Sequence, residues 1–184
     1  MTGGLVGRRD PAQPLLTYLD GPSRVELSGA TTRNWVSKTA NLLVDGFAGP
    51  ERVGLLLPLH WQTLCLLLGT VASGATAVIA RTAADLTGCA LAFTESGSAE
   101  AALDVGVDDV LACSLTPFAT RLANVPAMVL DAAAEIPAYS AQIVPKFANS
   151  NPITARYPAA FPQRSRMMPT KPLPLPAPIL TAIS

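Results

Sequence analysis

Val53 to Ala80 reads VGLLLPLHWQTLCLLLGTVASGATAVIA and contains no Lys, Arg, Asp or Glu. A run this apolar must leave water, either in a bilayer or in a protein core. A membrane span needs about 20 apolar residues that can form one helix. The longest uninterrupted candidate, Leu64 to Ala80, is at the lower limit of that length. It also holds Gly69, Thr70, Ser73, Gly74 and Thr76, and no basic cluster flanks it. Pro58 and Gly74 instead cut the run into three. RVGLLL has the continuous apolar character of a fully buried strand, and Pro58 ends it because proline cannot donate to a ladder. HWQTLCLLLGTVAS gives a helix of about three to four turns, with Gly74 at C′. ATAVIA gives a second strand. The expectation is a βαβ unit with parallel strands, not a span, and the missing charge reads as central burial in a sheet.

The flanks extend the pattern. LLTYL and RVELS surround the turn formers Asp20, Gly21 and Pro22, which predicts a β-hairpin. Ser28 is the N-cap candidate of a following helix, whose apolar face comprises Trp35 or Val36, then Ala40, Leu43 and Phe47. CALAFT reads as a buried strand, SGSAEAALDVG as a short helix opened by Ser96 or Ser98, and DDVLACSL as a further strand. Asp131 to Glu135 reads as a short helix stopped by Pro137, within the ambiguous stretch AMVLDAAAEIPAYSAQIV. The fold class that follows is α/β: an open, mostly parallel sheet flanked by helices, with an N-terminal hairpin and an extended C-terminal tail.

The tail is set by composition. Residues 1–144 hold 8 basic and 13 acidic residues, whereas residues 145–184 hold five basic and none acidic. Nine of the 17 prolines and none of the 13 glycines lie after residue 144. The expected organisation is an α/β domain over 1–144 and a Pro-rich, basic, disordered tail over 145–184. Within the tail, KPLPLPAPI has the form of a polyproline II ligand. The formal net charge is zero, so no global field favours nucleic acid. Cys65, Cys89 and Cys113 are odd in number, lack CxxC spacing and sit among apolar residues, which predicts reduced core positions and a cytoplasmic location.

Few residues offer chemistry. SGATT at Ser28–Thr32 could expose amides to an anion, but no Lys follows at P-loop spacing, so helix capping is the expected role. TESGSAE follows a strand and opens a helix, the position where open α/β sheets bind ligands. Ser96 and Ser98 are therefore ligand-binding candidates, but no cationic partner accompanies them and helix capping is the favoured role. His60, the only histidine, joins them because it lies just past a strand end and begins a helix. No triad partner stands near it in sequence, and helix N-terminal placement predicts a lowered pKa. Asp108 and Asp109 read as a solvated turn. No residue is assigned to catalysis or to metal binding.

The segment VELSGATTRNWVSKTANLLVDGFAGPERVGLLLPLHWQTLCLLLGTVASGATAVIA resembles the N-terminal part of the acyl-adenylate-forming superfamily, the AMP-dependent synthetases and ligases. The points of likeness are the strand pair, the helix ending KTANLL, the strand GPERVGLLLP and the Gly-Ala step before ATAVIA. HWQT and AQIVP resemble a smaller actinobacterial branch. The likeness covers residues 10–145. It implies ATP and magnesium as reactants elsewhere in the family, but the phosphate loop closing in Gly-x-Pro-Lys and the later adenine, ribose and lysine motifs have no counterpart here. The expected protein is a truncated or degenerate relative without independent catalysis, its composition change at Pro145 reading as truncation or a shifted frame. The alternatives are a nucleotide- or acyl-binding module and an interaction module acting through the tail. The sequence identifies no partner; self-association, or binding of another molecule through an exposed apolar face, are the two expectations, and membrane and nucleic acid are not expected partners.

Overall fold

The structure is a computed structural model, and it describes residues 10–142. Of the chain's two units, Met1–Asn149 and Ser150–Ser184, only residues of the first are described, so the reading of 145–184 as a tail lies outside them.

The hairpin forms as expected. Strands β1 (Pro14–Asp20) and β2 (Ser23–Ser28) pair antiparallel around a turn in which Gly21 takes φ 54°. That left-handed conformation strains any residue with a Cβ, so glycine fits it. Helix α1 (Gly29–Asn41) follows, capped by the Ser28 hydroxyl, which accepts from the Thr31 amide at 3.1 Å. The chain then widens into a π turn over Leu42–Gly46 before strand β3 (Arg52–Leu56).

The uncharged run divides where Pro58 and Gly74 predict. After β3 comes helix α2 (Trp61–Ala72), closed by Ser73 with Gly74 at φ 89°, and then strand β4 (Thr76–Ile79). Among the described residues no helix is long and apolar enough to cross a membrane. The chain continues through a 3-10 turn (Ala83–Leu86), strand β5 (Leu91–Glu95), a second 3-10 turn (Ser96–Ser98), helix α3 (Ala99–Asp104) and strand β6 (Asp109–Cys113). Strand β7 (Val129–Asp131), helix α4 (Ala132–Glu135) and a last 3-10 turn (Ile136–Ala138) complete it.

The five strands β3 to β7 form one parallel sheet in the order β4-β3-β5-β6-β7. Its core has two sides. Val53, Leu55, Leu91, Phe93 and Leu111 meet Leu42 and Leu43 beyond α1 and Leu66 of α2 on one face. Ala92, Val110 and Ala112 meet Leu86 and Ala99 and Ala102 of α3 on the other. A third cluster sets Trp61, Cys65 and Ala119 under the hairpin residues Leu16, Tyr18, Val25 and Leu27.

Three expectations change. Central burial holds for β3 but not for β4, which is an edge strand whose Thr76 and Ile79 are exposed. The stretch before Asp131 is strand β7, too short at three residues to show a period. Pro137 sits inside the final 3-10 turn rather than ending the helix, because its missing N–H costs nothing at the first positions of a turn.

Candidate functional site

The strand order reverses at β3. From β3 the chain steps outward to β4, then crosses back so that β5, β6 and β7 extend the opposite side. Helix α2 covers one face and α3 the other. Such a reversal leaves a crevice at the carboxyl ends of the two strands beside it, the usual ligand position in open α/β sheets. Here those strands are β3 and β5, with Leu56 in register with Thr94. The loop leaving β3 carries His60, and the turn leaving β5 carries Ser96 and Ser98. All three predicted residues therefore lie just past the carboxyl ends of β3 and β5, but the helices they open pack on opposite faces.

His60 is the N-cap of α2, its Nδ1 accepting the Gln62 amide at 3.2 Å. With Nδ1 as acceptor, the proton of the neutral ring belongs on Nε2. The ring is 4% exposed and meets Tyr18 edge-on, centroids 4.7 Å apart. Burial pushes its pKa below the ordinary histidine value, and the Asp20 charge opposes that shift only in part. His60 is therefore a neutral cap at pH 7. Its Nε2 is buried and has no hydrogen-bond partner among the described residues.

Ser96 and Ser98 are half-buried. Ser98 stands at the N-cap position of α3 without a side-chain hydrogen bond to the helix, so the capping expectation is not realised there. Glu100 lies in the first turn, where its charge suits the helix dipole.

Sequence reading missed Gln62 and Thr94. Both are fully buried, and the Gln62 amide oxygen and nitrogen and the Thr94 hydroxyl lack partners. Gln62 belongs to the i, i+4, i+8 row Gln62, Leu66, Thr70 that faces the sheet. A polar residue in an otherwise core-facing row was the available signal. Buried polar atoms ordinarily find partners, but Thr94 shares the α3-side face of Ala92 whereas Gln62 faces the sheet from the α2 side, so the two do not line one pocket.

Neither residues 57–63 after β3 nor residues 94–98 after β5 include a Lys or Arg, so these two segments supply no cation to balance a phosphate. Burial pushes the Cys65 thiol up to about 12, and Cys113 is raised further still by burial and by Asp131, so neither is a thiolate at neutral pH. Among the described residues no group of three or more His, Cys, Asp or Glu side chains could hold a metal ion.

Two solved synthetase structures resemble part of the chain. An acyl-CoA synthetase of Brucella canis matches 73% of it with a TM-score of 0.60 at 20% identity. An acetoacetyl-CoA synthetase of Streptomyces lividans matches 71% with a TM-score of 0.56 at 21% identity. At this identity the likeness shows that the chain shares its fold with part of these synthetases. In sequence the chain is similar to a TIGR03089 family protein of Mycobacterium tuberculosis, 38% identical over 152 residues and 80% of the chain. The chain spans 62% of that relative's length and 26% and 23% of the two synthetases. No family model matches the chain.

Proposed function

We propose that this chain is a ligase-like fold element without independent adenylate-forming activity. The reading rests on the segments that follow β3 and β5, residues 57–63 and 94–98, which contain no Lys or Arg. Adenylate formation requires stabilising the charge of transferring phosphates with Lys, Arg or a metal ion. The residues past the carboxyl ends of β3 and β5, among them His60, Ser96 and Ser98, supply no such cation. The test is incubation with ATP, magnesium and a panel of carboxylic acids. No pyrophosphate release is expected; turnover that scales with protein concentration overturns the reading.

A second reading is favoured by the partnerless atoms themselves. The His60 Nε2 and the Gln62 amide would hold the polar end of a small ligand, of nucleotide or acyl type. Calorimetry with AMP, ATP and an acyl-CoA tests it. Binding that Gln62→Leu abolishes supports the site, and no heat with any of the three removes it.

A further inference from the structure

Helix α2 carries no charged side chain, yet only one side of it is covered. Trp61, Gln62, Cys65, Leu66, Gly69 and Thr70 are buried, and Gly69 faces Thr39 of α1. Leu64, Leu68 and Val71 recur at i, i+4 and i+7 on the side turned away from α1, with Val71 47% exposed. A helix that is apolar all round is normally enclosed. The strand beside it is equally unprotected. β4 is an edge among the described residues, regular over its four residues, and free of charge, proline and bulge. Native edges usually carry at least one such guard.

We propose that this side of the molecule pairs with a second copy of the chain, β4 against β4 in antiparallel register, giving one ten-stranded sheet across a twofold axis at Val78. The backbone selects that register. The Thr76 and Ala80 amides donate inward to Glu51 and Leu55, so by alternation the Ala77 and Ile79 groups point outward. An axis at Val78 sets Ala77 opposite Ile79 of the other copy, and each such pair can exchange both N–H···O=C bonds. Ile79, 62% exposed, lies by alternation on the same sheet face as Ala77, which packs into the α2-side core.

The helices favour a second copy over a lone peptide. A twofold axis perpendicular to the sheet leaves both α2 helices on one face, their uncovered sides opposed. α2 contacts both β3 and β4. Two strand spacings then separate the paired helices by roughly 10 Å, the upper end of ordinary helix packing. A single added strand would leave the Leu64–Leu68–Val71 stripe in water. With no charge from Val53 to Ala80, the two identical surfaces meet without repulsion.

The test uses the full chain in analytical ultracentrifugation at micromolar concentration. A dimer is expected for the natural sequence. Ile79→Lys and Val71→Lys should each give monomers with unchanged far-UV circular dichroism. They alter a strand and a helix separately, so if one fails to fold the other carries the test. Val78→Cys should oxidise to a linked dimer, because residues facing across the axis have Cβ atoms about 5 Å apart. Thr76→Cys, displaced from the axis, should not. A monomeric natural chain, a dimer that survives a folded lysine variant, or linkage through Thr76→Cys and not Val78→Cys overturns the proposal.

Discussion

Thr39 fills the space that any side chain at Gly69 would need: a Cβ there would stand 2.5 Å from the Thr39 Cβ and 3.0 Å from the Val36 carbonyl oxygen. The two helices α1 and α2 are in tight contact at this pair, and backbone on one side leaves little room to yield. Gly69→Ala gains about 1 kcal/mol in helix propensity and loses about 1–3 kcal/mol to overpacking. A net loss of stability is expected, measured as a lower urea midpoint. An unchanged or raised midpoint would show that the helices separate without cost.

The end of the described chain is strapped to α1. Lys38 Nζ donates to the carbonyls of Pro137 and Tyr139, at 2.6 and 2.8 Å, and Asn41 Nδ2 donates to those of Ser140 and Gln142, at 2.9 and 2.8 Å. Asn41 is buried, so Asn41→Leu removes two bonds and leaves the carbonyls to water. A loss of about 1–3 kcal/mol is expected. Limited proteolysis should show earlier cleavage between residues 136 and 142, and equal cleavage rates would refute the strap.

His60 makes stability depend on pH in a defined direction. Its folded pKa lies below the unfolded value, so the unfolded chain binds the proton more readily. The contribution is fully present above the unfolded pKa, near ~6.5, and is lost as pH falls from there through the folded value. Protonation also removes the Nδ1 acceptor from the Gln62 amide. His60→Asn retains an N-cap acceptor that does not titrate. Chemical denaturation in a pH series should show a sloping urea midpoint in this window for the natural chain and a flatter one for the variant. Parallel slopes would assign the pH dependence elsewhere.

The three cysteines should be silent in the folded state. Cys65, Cys89 and Cys113 are buried and free, and burial holds the Cys65 thiol near a pKa of about 12. Thiol titration at neutral pH should proceed only as fast as the protein opens, and to completion in denaturant. Immediate labelling of a native thiol would contradict the packing around it.

What was legible is placement. A residue just past a strand end has a defined place in an α/β sheet, and His60, Ser96 and Ser98 lie past the carboxyl ends of β3 and β5. Gln62 and Thr94 were missed because their significance is negative. Each is buried without a partner, and partnership is decided by residues distant in sequence. The short β7 escaped for a related reason: three residues carry no period, and only pairing with β6 makes them a strand.

Local chemistry by itself determined where the elements begin and end. Pro58 cannot continue a ladder, Gly74 accepts a positive φ, and Ser28 offers an acceptor to the first turn of α1; each acts within a few residues of its own position. Tertiary structure alone decided what the missing charge from Val53 to Ala80 means. It encloses β3, yet it leaves β4 at an edge and one side of α2 uncovered, because strand order and helix neighbours are long-range contacts that no local pattern encodes.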